Sequence, residues 1–161
     1  YIVAHVITNT LDTSGCIDCL NMAIAKHGRP YMINSDQGSQ FTSKEWVSAL
    51  QNNDIIISMD AKGRWADNIY MERFWRTLKY ECIFALGIEN ADELHIEVNK
   101  YIEYYNNRRL HSSLGYKTPK LIYNANSLTS EYIAYCNYPA DQDRLRTARK
   151  RVLPTVSTVC I

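Results

Sequence analysis

No run of this 161-residue chain approaches the roughly 18 consecutive apolar residues of a membrane span. Nor does it open with a basic segment leading into an apolar stretch, the pattern of a signal peptide, so it reads as cytoplasmic. Charge of one sign is missing too: 18 Lys and Arg against 17 Asp and Glu leave a net +1, which neither demands nor excludes nucleic acid. Thiol metal sites lack their usual spacing. Of the five cysteines (Cys16, Cys19, Cys82, Cys136, Cys160) only Cys16 and Cys19 form a C-x-x-C, and no His pair stands at zinc spacing. That pair opens a predicted helix, a context that suits redox chemistry, but small core side chains are the reading preferred here. There is no repeat, no low-complexity tract and no initiating Met, and the chain is read as part of a longer protein.

What is present is one domain's worth of chain with 46% hydrophobic residues, enough for a core. Residues 1–8 are rich in β-branched side chains and predict a strand, with His5 a passenger lacking an identifiable partner. Thr13 or Ser14 caps a helix over 15–27 whose apolar face is Ile17, Leu20, Ala23 and Ile24, and Gly28-Arg29-Pro30 ends it. A strand over 31–35 follows, then a helix over 44–52 capped by Ser43 with Trp46, Val47 and Leu50 inward. Ile55 to Met59 is continuously apolar but for Ser58, as buried parallel strands are. Asn90 or Asp92 opens a long helix over 93–107, and a short helix is expected over 120–123. The order is that of an α/β protein.

Residues 64–81 carry the first chemical signal. Read at 100° per residue, Tyr70, Phe74, Leu78 and Cys82 form an apolar stripe with Met71 and Trp75 beside it. Glu72, Arg76 and Lys79 gather on the other side, with Arg73 at the margin, and Asp67 or Asn68 supplies the N-cap. One carboxylate thus stands among three cations. An ordinary solvated face with a Glu72–Arg76 pair is the plain alternative. The second signal is Ser35-Asp36-Gln37-Gly38-Ser39-Gln40-Phe41-Thr42-Ser43, which puts Asp36 at the C-terminal end of a strand, where ligands of open α/β sheets collect. Thirty-five residues lie between Asp36 and Glu72.

With these two motifs, and a third at Tyr105-Asn106-Asn107-Arg108-Arg109-Leu110-His111-Ser112-Ser113-Leu114-Gly115-Tyr116-Lys117-Thr118-Pro119, the chain resembles the DDE integrase-core transposases of bacterial insertion sequences. These are of the OrfB type and similar to retroviral integrases. The resemblance covers residues 1 to about 123 and implies an RNase H-like fold. It implies Asp36 and Glu72 as catalytic, metal-holding carboxylates of a two-metal Mg²⁺ (or Mn²⁺) site for DNA strand cleavage and transfer. Hard cations take carboxylate oxygens, and two ions can activate the attacking oxygen and stabilise the leaving one. Asp36 and Glu72 are therefore expected close enough to share an ion. Lys62, Arg64, Arg73, Arg76, Lys79, Arg108 and Arg109 are the candidate DNA contacts, on the ends of the element and on target DNA. Asn68 is read as a cap, and Asn106 and His111 as structural or DNA-contacting. The loop over 61–66 is expected beside the site, with Gly63 as its hinge.

The family's set is Asp, Asp, Glu, and its first Asp precedes Asp36 on a strand of its own. Asp12 and Asp18 fall in or beside the first helix and do not fit. The expectation is an N-terminally truncated, incomplete RNase H-like core over 1–124, lacking the first two strands and the first carboxylate. On that basis the strand over 1–8 either pairs directly with that over 31–35 or leaves an apolar edge open. Residues 125–161 are an unassigned tail, in which Tyr132, Tyr135 and Tyr138 suggest a short helix and residues 144–151 form a basic run. A complete protein is expected to be a nucleoid-associated homo-oligomer. The alternative is a catalytically inactive remnant or DNA-binding fragment.

Overall fold

The computed structural model describes residues 1–59, 69–127 and 157–160. Strand β1 (Ile2–Val6) and helix α1 (Thr13–His27) open the chain, and α1 lies against β1. Asp12 occupies the N-cap position without a side-chain bond. The expected Thr13 cap does not form, because its hydroxyl is turned to Ser43 Oγ at 3.2 Å. Gly28, with φ +82°, takes α1's last turn out of the helix and donates its N–H to the Ile24 carbonyl. Strand β2 (Met32–Ser35) leads through the one-turn α2 (Ser39–Thr42) and α3 (Lys44–Asn52) to β3 (Ile56–Met59). Ser43 caps α3 as expected, its Oγ accepting from the Trp46 N–H at 3.1 Å and donating to the Gln40 carbonyl at 3.0 Å.

After residues 60–68 comes one continuous helical rod: α4 (Ile69–Leu78), a π-helical turn (Lys79–Ile83) and α5 (Phe84–Leu86), stopped by Gly87 in the left-handed region at φ +62°. Helix α6 (Ala91–Asn107) follows, with Asn90 Oδ1 accepting from the Glu93 N–H at 2.8 Å. The chain then makes a 3₁₀ turn (Ser112–Leu114) and α7 (Pro119–Ser127), and the last described element is β4 (Ser157–Cys160).

The strands form two parallel pairs. Met32–Ser35 run beside Ile56–Met59 in unbroken register, joined by a helical crossover as parallel strands require. β1 is flanked by β4 in parallel, with Ile2 opposite Ser157 and Val6 opposite Cys160. This corrects the expected arrangement of β1, which neither pairs with β2 nor stands uncovered: the far end of the chain lies along it. The tyrosines at 132, 135 and 138 and the basic run at 144–151 lie outside the described residues.

Two apolar cores result among the described residues, and the division decides which core seats which site residue. One joins Cys16 and Leu20 of α1 to Ile33 of β2, Trp46 and Leu50 of α3, and Ile55. The other joins Ile2 of β1 to Phe74, Leu78 and Cys82 of the rod and Val98, Tyr101 and Ile102 of α6. Each fully buried side chain of this size stabilises by about 1.5–3 kcal/mol. Cys16, Cys19 and Cys82 are buried, and Cys16 and Cys82 serve in these cores as small apolar side chains. Strand β1 lies between α1, which covers it, and the second core, which Ile2 enters. Asn106, at the end of α6, fixes β1 in place by accepting from the Ile2 N–H and donating to the Ile2 carbonyl, both at 2.9 Å. His5 does have a partner, its Nε2 lying 2.9 Å from Asn99 Oδ1 on α6.

Candidate active site

Asp36 follows directly on β2 and is exposed. Its Oδ1 accepts the Gly38 N–H at 2.8 Å, closing a tight turn. A Cβ on Gly38 would sit 3.0 Å from that same oxygen and 2.9 Å from Gln40 Nε2, so any larger residue there would have to press on the Asp36 carboxylate and move the Gln40 side chain. The Thr13–Ser43–Gln40 bonds brace the far side of the turn against α1.

Glu72 is exposed in the first turn of α4. Among the described residues it makes no ion pair with Arg76; the pairs are Arg29–Asp54, Lys100–Glu97 and Arg109–Glu81. Arg76 instead lies over the Tyr80 ring, 5.8 Å from its centroid. The buried stripe behind Glu72 is Phe74, Leu78 and Cys82, with Met71 and Trp75 partly buried against it, as the helical period predicts. Tyr70 is a correction: it is 74% exposed, although its spacing puts it on the apolar stripe. It stands in the rod's first turn, before the stripe reaches α6. Asp36 thus rests on one core and Glu72 on the other, and no hydrogen bond joins them. Among the described residues no three His, Cys, Asp or Glu side chains cluster in a way that could hold a metal. The chemistry of the donors is still that of a hard divalent cation, two carboxylates at the ends of regular elements. Lys62, Arg64, Asn68 and Gly63 lie outside the described residues. Arg73, Arg76, Lys79 and Arg108 are exposed.

Arg109 is engaged. Its Nε donates to Glu81 Oε2 at 2.8 Å, its Nη2 donates to Oε1, and the Tyr101 hydroxyl donates to Oε2 at 2.8 Å. Glu81 lies within the π-helical turn, so this bidentate pair ties the rod carrying Glu72 to α6 and to the loop after it. The Arg109 bonds, aided by Tyr101, hold the Glu81 carboxyl below its usual range, against a smaller opposing effect of burial. Burial first, and then the bond to the Glu81 carboxylate, push the Tyr101 hydroxyl well up, against a smaller opposing effect of Arg109. Because the Glu81 pKa is lowered on folding, the pair's stabilisation is full above the ordinary carboxylate value and is lost as pH falls through the folded one. With the Glu81 side chain 41% exposed, Glu81→Gln is expected to cost only about 1 kcal/mol at pH 7. The difference between variant and parent should shrink in urea titrations as the pH falls below the ordinary carboxylate range and through the lowered folded value. A cost that does not change with pH would show that the charge of the pair is not its source. Nothing in the helical period of 64–81 marks Glu81 as different from a solvated acid; its partners sit 20 and 28 residues away.

The chain is similar to proteins that are already known. Two models described as integrase core domain match it, one over residues 1–64 and one over 53–119. The transposase for insertion sequence element IS904 of Lactococcus lactis is 45% identical over 106 residues, 64% of this chain and 42% of that protein. The chain belongs to the integrase-core transposase family. Two Escherichia coli members agree. The putative transposase InsK for IS150 is 40% identical over 58% of this chain and 32% of its own length, and the transposase InsF for IS3fB is 34% identical over 68% and 39%. The chain spans less than half the length of each of these relatives. As an integrase core it has the RNase H-like fold, and the β2–α3–β3 unit and the α4 rod are the described parts that carry Asp36 and Glu72. No helix among the described residues is long and apolar enough to cross a membrane.

Proposed function

We propose that this chain works in DNA transposition, supplying Asp36, Glu72 and a cationic helix face to a site for metal-dependent strand cleavage and transfer. The observation that carries the reading is the exposed carboxylate of Glu72 on a helix whose cations Arg73, Arg76 and Lys79 make no ion pair among the described residues. Cations left without carboxylate partners beside an exposed acid suit a polyanion that must be both held and attacked. Asp36 and Glu72 would hold Mg²⁺ or Mn²⁺, which when bound polarises the phosphate and activates the attacking oxygen. Arg73, Arg76 and Lys79 grip the backbone so that the phosphodiester lies along α4. Arg108 extends this grip, and Lys62 and Arg64 add to it from the segment before the helix. Arg109 serves the Glu81 pair instead of DNA. The partners are the ends of an insertion sequence and its target DNA, engaged by an oligomer.

Duplex binding tests this. Affinity should fall steeply with salt, the slope growing by about 0.9 per phosphate neutralised. Arg76→Ala with Lys79→Ala should flatten the slope by about two units, one for each phosphate no longer neutralised, while leaving the urea midpoint near the parent's. Salt-independent binding, or no binding at low salt, would sink the DNA reading.

A further inference from the structure

Beyond Glu72 the rod continues into an exposed surface that neither core uses. Tyr80 is 64% exposed and Phe84 63%, and the two rings meet edge to face with centroids 5.6 Å apart. Arg76 caps the other side of Tyr80 at 5.8 Å, so Arg76, Tyr80 and Phe84 make one continuous surface along three successive turns. Tyr70 and Arg73 extend it past Glu72 at helical spacing. Exposed aromatics of this size are expensive to leave in water and suit a partner with flat apolar faces.

The charges around them select the partner. Arg73, Arg76 and Lys79 border the rings, and Glu81, the acid next to Tyr80, is already taken by Arg109 and Tyr101. A second copy of this chain docking face to face would bring like charges together. A strand of nucleic acid would not, because its phosphates suit the cations and every base has a face to stack. At 1.5 Å per residue, Tyr80 stands about 12 Å along the helix from Glu72, within reach of a strand held at that carboxylate.

We propose that Arg76, Tyr80 and Phe84 form a stacking platform for unpaired DNA bases, so that this chain prefers duplex DNA bearing a single-stranded extension to blunt duplex. The proposal rests on the DNA reading above and deepens it: Arg73, Arg76 and Lys79 hold the backbone, and the rings take the bases that lie beyond the paired region.

The test compares binding of the chain to blunt and 3′- or 5′-extended oligonucleotide duplexes, with 2-aminopurine in the extension as the stacking probe. Stacking on aromatic side chains gives the expected preference, about tenfold for an extended duplex, with quenched 2-aminopurine emission. Tyr80→Leu with Phe84→Leu keeps the helix and its apolar character but removes both ring faces. It should abolish preference and quenching while leaving blunt-duplex affinity and its salt slope unchanged. Equal affinity of the parent for blunt and extended DNA overturns the platform but not the DNA reading. So does a preference that survives the double substitution. Self-association abolished by that substitution, without any DNA preference in the parent, overturns it in favour of a contact between copies. No binding of either DNA at low salt overturns both readings.

Discussion

Asn106→Leu is expected to destabilise the chain by about 2–4 kcal/mol, a large share of the total stability of a domain this size. Asn106 is only 6% exposed, and its amide holds both backbone groups of Ile2 at 2.9 Å. It acts as a one-residue neighbouring strand, filling ladder positions of β1 from the end of a helix. Leucine has nearly the same shape and would fill the space, so the loss is not a cavity effect. It would leave one buried N–H and one buried C=O unsatisfied, each costing about 1–3 kcal/mol, with part regained from the added apolar burial. The effect should reach the candidate site, because Ile2 shares a core with Phe74 and Leu78 behind Glu72. Urea titration followed by circular dichroism reads the loss. Asn106→Asp, which keeps an acceptor for the Ile2 N–H but replaces the donor with a buried charge, should be no better. A midpoint equal to the parent's for Asn106→Leu would show that the amide bonds do not hold β1.

Local signals on the chain were legible because their physics is local. Ser43 and Asn90 cap the helices they were expected to cap, Gly28 ends the first helix, and the spacing of Phe74, Leu78 and Cys82 identifies the buried side of the rod. What was not legible depends on partners distant in sequence. His5 and Asn99 are separated by 94 positions, and Asn106 and Ile2 by 104. No period or composition can announce such a pair. The π-helical turn is of the same kind: within it Glu81 meets Arg109 and Tyr101, all three already visible as polar residues along the chain. Tyr70 shows the limit of a hydrophobic period, which says which residues share a face but not how far along the helix the neighbour extends. The pairing of β4 with β1 was missed because residues 157–160 are too short a run to stand out. The division into two cores, which separates the support of Asp36 from that of Glu72, follows from packing alone.

Strand transfer by the 161-residue chain on its own is expected to stay at background in Mg²⁺. Catalysis with two ions needs each of them fixed by several oxygens, and a carboxylate shared between them sets their separation. Asp36 and Glu72 are two donors resting on different cores, and among the described residues no third His, Cys, Asp or Glu joins them. Metal held so loosely would forfeit several kcal/mol of transition-state stabilisation. At about 1.4 kcal/mol per factor of ten, that is on the order of a 10³-fold loss in rate. The measurement is transfer of a labelled oligonucleotide carrying insertion-sequence ends into plasmid DNA, alongside a Mg²⁺ titration monitored by the melting temperature. Asp36→Asn and Glu72→Gln should leave the background rate as it is, while a longer chain that adds the family's first aspartate should transfer strands and lose that activity with either substitution. DNA binding by the short chain should persist throughout, because Arg73, Arg76 and Lys79 do not depend on the metal. If instead the short chain transfers strands in Mg²⁺ and Glu72→Gln abolishes the reaction, the third ligand must come from its own residues, with Asp60 and Asp67 the first to replace.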